Sequence, residues 1–165
     1  MGEGVQIIVI YQHKPYSCGP ASIHNACNWV YGSSDMCPDE DEIIAYLEHK
    51  NKAALTEGTS HIDIKRVLVH FGIPHEAMSV RHKKHSPRSL NSAISGGKAV
   101  ICHGNERRHW FVVIAPLYHP DDRIDGFVVV DSADADLVLK WDVNKLITEW
   151  GGTEGDNRCY GIVVG

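Results

Sequence analysis

The sequence lacks any apolar run long enough to cross a bilayer, so we predict a chain without a membrane span. It also lacks the positively charged start and small-residue cleavage site of a secretory signal. Gln6 stands where myristoylation requires serine or threonine. These absences predict a protein that is cytoplasmic, or translocated without a visible signal peptide.

Cysteine is scarce, and its five residues do not follow the spacing of a disulfide framework. A chain of 165 residues buries enough apolar surface to fold as one domain without disulfides, so a reducing compartment is favoured. Cys27 lies nine residues after Cys18, at a point of the same helix that faces elsewhere. We expect Cys27, Cys102 and Cys159 to be buried in the core.

Metal-binding motifs are missing as well. His24 and Cys27 are close in sequence, as are His103 and His109, but there is no CxxC pair and no HExxH motif. The sequence therefore predicts no metal and no cofactor.

An excess of positive charge is also absent, because 16 Lys and Arg residues stand against 21 Asp and Glu residues, for a net charge of -5. The one basic cluster, Arg81 to His85, has no interleaved aromatic residues. We interpret it as a solvated loop and predict no binding to nucleic acid.

The order of predicted elements indicates an α+β fold in a single domain, residues 1–165. A strand over residues 5–12 precedes a helical half, and a mostly antiparallel half follows it. Apolar periodicity, caps and glycine stops predict helices over 18–31, 33–50, 61–72, 86–97 and 141–152, and strands over 98–104, 109–118, 126–133 and 159–165.

Cys18 is predicted to lie at a helix N-terminus. Ser17 can cap that helix, Pro20 can occupy its first turn, and Gly32 can end it. The N–H groups at a helix start stabilise a thiolate, which is the reactive form of cysteine. Cys18 is therefore a candidate nucleophile.

His109 and Asp131 are the candidate partners of this thiol. His109 opens an apolar strand, and Asp131 closes the next one after the predicted hairpin between Tyr118 and Gly126. Antiparallel pairing can therefore bring the carboxylate beside the imidazole. Gln12, six residues before Cys18, is a candidate oxyanion donor together with the Cys18 backbone N–H. Each of these residues alone also fits an ordinary structural role, so the hypothesis rests on the set.

The segments "QHKPYSCGPA", "HWFVVI" and "FVVVD" resemble the papain-like superfamily, most closely the C39-type bacteriocin-processing peptidases and C39-like domains. The resemblance implies a papain-like fold, with a helical half packed on an antiparallel sheet. It implies Cys18 as the nucleophile, His109 as the general base and acid, Asp131 as the orienting carboxylate and Gln12 as the oxyanion donor. The sequence departs from this family pattern at Ser17, where the transporter-linked peptidases usually have aspartate.

These residues predict a cysteine hydrolase that cleaves a peptide or isopeptide-like amide through a thioester, with a protein or peptide as its substrate. A role as a bacterial effector, a toxin or a maturation protease fits this chemistry. Two alternatives remain open. One is an acyltransferase of the transglutaminase or phytochelatin-synthase type, and the other is a catalytically silent C39-like domain that binds a peptide.

Overall fold

A computed structural model describes residues 9–32, 35–104, 109–151 and 158–165. The first half of the predicted first strand, residues 5–8, lies outside the described residues. Its remainder, residues 9–12, is not a strand. Instead, the side-chain amide of Asn25 accepts a hydrogen bond from the Ile10 N–H at 2.8 Å and donates one to the Ile10 carbonyl at 3.1 Å. Asn25, on the first helix, thus makes the two hydrogen bonds to the Ile10 backbone that a neighbouring strand would otherwise make.

In the described part of the chain, five α-helices accompany one sheet of six strands. The strand order is β1-β6-β2-β3-β4-β5, and every neighbouring pair is antiparallel. The helices are α1 (Cys18–Tyr31), α2 (Glu40–Lys50), α3 (His61–His70), α4 (Ser86–Ile94) and α5 (Val143–Glu149), and the strands are β1 (His75–Val80), β2 (Ala99–His103), β3 (Trp110–Tyr118), β4 (Ile124–Val130), β5 (Val138–Asp142) and β6 (Cys159–Val164). None of these helices combines the length and apolar character needed to cross a membrane.

Helix α1 begins at Cys18 and is closed by Gly32 directly after Tyr31, as the sequence predicts, but the predicted side-chain cap at Ser17 is wrong. The Ser17 hydroxyl closes a turn with the Lys14 backbone instead, and it makes no capping hydrogen bond. The third helical residue, Pro20, has no N–H for such a cap to meet. The Ser17 side chain therefore does not occupy the N–H groups at the start of the helix.

Strand alternation divides the core between the two faces of the sheet. On one face, α1, α2 and α3 pack over residues such as Ile101 and Ile162. On the other face, α4 and α5 pack over residues such as Phe111 and Phe127. This arrangement confirms the predicted α+β class, with a helical half packed on an antiparallel sheet.

Two strands are absent from the sequence prediction, and both lie at the edges of the sheet. β1 is mostly exposed or half-buried, and β5 buries only Trp141. Trp141 was expected in the last helix, which instead begins at Val143. Edge strands of this kind lack the apolar alternation that identifies a strand, because much of their surface faces solvent.

Candidate active site

Cys18 is the first residue of α1, and its side chain is 6% exposed. The residue after it, Gly19, lies against the side chain of Thr59, in the segment that leads into α3. A Cβ atom at Gly19 would stand 2.5 Å from the Thr59 Oγ1, so this close approach requires glycine. The start of α1 is thereby packed directly against the neighbouring segment.

His109 and Asp131 are brought together by the pairing of β3 with β4. His109 directly precedes β3 and Asp131 directly follows β4, and the antiparallel register pairs Val112 with Val130. The His109 Nε2 lies 3.0 Å from the Asp131 Oδ2. The predicted strand-end arrangement of imidazole and carboxylate is present in the structure.

His109 also interacts with Cys18. A side-chain hydrogen bond between the imidazole and the Cys18 thiol contributes to the raised pKa of His109. The structure therefore brings Cys18, His109 and Asp131 together in the order that thiol catalysis requires.

Electrostatics favour the charged forms of His109 and Asp131. The hydrogen bond with Asp131, helped by that with Cys18, raises the pKa of His109 to about 10 against the opposing effect of burial. Burial raises the pKa of Asp131, but the hydrogen bond and charge of His109 and the backbone N–H of Ala133 outweigh it and hold that pKa below its usual value. The two shifts have the same physical cause, because each charged partner favours the charged form of the other.

Gln12 lies between the loop after β4 and residues 13–17, the loop that leads to Cys18 and is called the nucleophile loop below. Its backbone N–H donates to the Ser132 carbonyl at 3.0 Å, and its Oε1 accepts from the Ser132 hydroxyl at 3.2 Å. Its Nε2 donates to the carbonyls of Lys14 at 2.9 Å and Pro15 at 3.1 Å. To donate to an oxyanion, the amide has to release at least one of these carbonyls. Its role as oxyanion donor stays a prediction.

Glu40 is a supporting residue that the sequence analysis missed. Its side chain is 1% exposed, and it accepts the backbone N–H of His13 at 3.0 Å. Its second carboxylate oxygen lies 3.1 Å from the His13 Nδ1. Glu40 stands in an acidic run at the start of α2, where a helix-dipole charge is the ordinary interpretation. Sequence offered no signal that it would hold the nucleophile loop.

Trp110 and Thr59 form a further link between the segment that contains His109 and the start of α1. The Trp110 indole N–H donates to the Thr59 carbonyl at 2.8 Å. Trp110 directly follows His109, and Thr59 packs on Gly19. A cavity of about 720 Å³ adjoins this contact, between the segment containing Thr59 and the sheet at β1 and β6. Its lining includes the rings of His61, His103 and Tyr160.

No metal site is visible in the described ranges, where no three His, Cys, Asp or Glu side chains group closely enough to hold an ion. His24 and Cys27 do not form part of such a group, and neither do His103 and His109.

Solved structures identify the fold. The chain resembles the peptidase domain of Streptococcus ComA, a bi-functional ABC transporter involved in a quorum sensing pathway, with a TM-score of 0.63 and 16% identity over 96% of this chain and 98% of that one. It also resembles a double glycine motif protease from an AMS/PCAT transporter in complex with the leader peptide, with a TM-score of 0.58 and 16% identity over 98% and 94% of the two chains. The chain has the fold of C39-type peptidase domains.

A third structure, the peptidase domain of Streptococcus mutans ComA, matches with a TM-score of 0.55 and 14% identity over 95% of this chain and 98% of that one. No protein-family profile and no curated protein sequence matches the chain. The C39-like, papain-like resemblance seen in the motifs is confirmed for the fold.

Proposed function

We propose that the chain is a cysteine peptidase that cleaves a peptide bond through an acyl-enzyme thioester. The observation that carries this proposal is His109, whose Nε2 lies 3.0 Å from the Asp131 Oδ2 and whose side chain also hydrogen-bonds Cys18. The C39-type fold supports the same chemistry. The retained thiol, imidazole and carboxylate argue against a silent binding domain.

The reaction follows from this geometry. The Cys18 sulfur attacks the substrate carbonyl, and His109, already protonated, gives its proton to the leaving amine. His109 then takes a proton from water, which attacks the thioester and releases the acyl group. Asp131 holds the ring in orientation and stabilises its charge through both steps.

The proposed substrate is a peptide segment, because one structure of similar fold contains a leader peptide. A double-glycine leader is one candidate within this class. Whether the chain acts as an effector, a toxin or a maturation protease depends on which protein contains that peptide. This biological role stays a prediction.

Reaction with a peptide library, read by mass spectrometry of the new termini, tests the activity. We expect cleavage by the unaltered chain and a loss of about 10³-fold or more in the Cys18→Ala variant. Cys37→Ala is the matched control under reducing conditions, since that thiol lies outside the triad. Equal cleavage by the Cys18→Ala variant would contradict the proposal.

Two additions to the same assay separate the alternatives. Adding a primary amine distinguishes hydrolysis from transfer, because a transferase would yield the amine adduct as its main product. Adding a double-glycine leader peptide tests that substrate directly. If neither the library nor the leader is cut, and a small electrophile leaves Cys18 unlabelled at neutral pH, the domain is a binding module.

A further inference from the structure

Two cysteines outside the catalytic site lie in contact. The Cys27 sulfur, on α1, is 2.7 Å from the Cys37 sulfur, on the segment that leads into α2. The Cys27 side chain is fully buried, whereas Cys37 is partly exposed. Since a disulfide bond is about 2.05 Å long, the two sulfur atoms need to approach by less than about 1 Å to be joined.

The remaining cysteines are placed differently. Cys102 and Cys159 are fully buried in the core under α4 and α5, and their sulfur atoms contact the carbonyls of Val100 and Trp150. Cys18 is buried beside His109. Among the four cysteines outside the catalytic site, Cys37 is therefore the one most accessible to an oxidant.

We propose that Cys27 and Cys37 form a disulfide when the protein meets a small-molecule disulfide such as oxidised glutathione. The Cys37 sulfur attacks one sulfur of the oxidant and releases the first glutathione thiol. The Cys27 sulfur then attacks the Cys37 sulfur, and the second glutathione leaves as a thiol. Two protein thiols are oxidised, one glutathione disulfide is reduced, and the two protons end on the released thiols.

The bond would join α1 to a segment that also supports the nucleophile loop. In this segment the Pro38 carbonyl lies 3.3 Å from the His24 Nδ1, and Glu40 holds His13. A disulfide between Cys27 and Cys37 would reinforce that support while Cys18 keeps its contact with His109. The five cysteines then fall into three groups: the pair that forms the disulfide, the two core residues Cys102 and Cys159, and the proposed nucleophile Cys18.

The full chain carrying Cys18→Ala tests this pairing without interference from the catalytic thiol. The reduced protein is incubated with oxidised glutathione, denatured and alkylated, so that the four remaining cysteines are counted by mass. We expect two to be blocked. Cleavage before Asp35, which lies between the two cysteines in sequence, should yield fragments that separate only after reduction.

Alkylation of all four cysteines would overturn the proposal, as would a link through Cys102 or Cys159 or between two chains. The oxidised form should also melt roughly 5–10 °C higher than the reduced form. That difference should vanish with dithiothreitol and in the Cys37→Ser variant. If Cys37→Ser does not fold, Cys37→Ala serves instead, and the fragment analysis of the Cys18→Ala chain decides the pairing without either variant.

Discussion

The His109 Nε2 and the Asp131 Oδ2 are 3.0 Å apart, at the ends of two neighbouring antiparallel strands. Each residue lies just outside its strand, so the sheet holds both side chains without giving up a ladder hydrogen bond. The same imidazole contacts Cys18 at the start of α1. The His109 ring thus contacts Asp131 at the end of β4 and Cys18 at the start of α1, and so links the sheet to the helical half of the fold.

The Asp131→Asn variant should lose activity and keep its fold. The asparagine amide can still accept a hydrogen bond, but it lacks the negative charge that stabilises the imidazolium, so we expect kcat/KM to fall by about 10²- to 10⁴-fold. Peptide cleavage and a melting curve measure the two effects. Asp134→Asn is the matched control, because Asp134 lies in the same loop and caps only the N–H of Asp136. Equal losses in both variants would point to a damaged loop.

The charged His109 should make stability depend on pH in the alkaline range. Its pKa is about 10 in the folded chain against 6.5 for an unperturbed histidine, chiefly because of the Asp131 hydrogen bond. A raised folded-state pKa gives stability that is fully present below pH 6.5 and is lost as the pH rises through 10. Denaturant unfolding between these two limits should show this decline.

Two variants check the origin of that decline. His109→Gln should remove the decline attributable to this residue. Asp131→Asn should move it to lower pH, because the main cause of the raised pKa is gone. A decline of unchanged size in His109→Gln would assign it to other groups.

Sequence reasoning predicted the proximity of Cys18, His109 and Asp131 because their placement depends on local patterns. His109 and Asp131 flank two apolar strands joined by a turn, and such a hairpin brings strand ends together whatever packs around it. Cys18 likewise follows a local helix-start signal. The edge strands β1 and β5 have no comparable pattern, since half of their surface faces solvent.

Contacts between segments that are distant in the sequence could not be predicted, because no local sequence pattern indicates them. The approach of Cys37 to Cys27 depends on how the segment before α2 folds back on α1, and the prediction that Cys27 is buried is confirmed without revealing its neighbour. Tertiary packing also determines two further contacts. These are the hydrogen bond from the His13 N–H to Glu40 and the hydrogen bonds between Gln12 and Ser132.

Gly19→Ala should impair the site through a steric effect alone. Its new methyl group would meet the Thr59 side chain at 2.5 Å, so the start of α1 or the Thr59 segment has to shift. We expect a loss of stability of about 1–3 kcal/mol, together with lower activity. Combining it with Thr59→Gly should restore part of both, because that change removes the three Thr59 atoms nearest the new methyl group, which are Oγ1, Cβ and Cγ2. The unfolding free energies of the two single variants and the double variant measure this coupling, and strict additivity would exclude a direct clash.

Gln12 and Ser132 can be separated by their effects on catalysis. If the Gln12 amide stabilises the oxyanion, Gln12→Ala should lower kcat by about 10²- to 10³-fold with little change in KM. Ser132→Ala removes the hydroxyl that holds the Gln12 Oε1 but leaves the amide in place, so its kcat should fall far less. Steady-state cleavage of one peptide by both variants makes the comparison. Similar losses in the two variants would instead make Gln12 a positioning residue, which ties the loop after Asp131 to the carbonyls of Lys14 and Pro15.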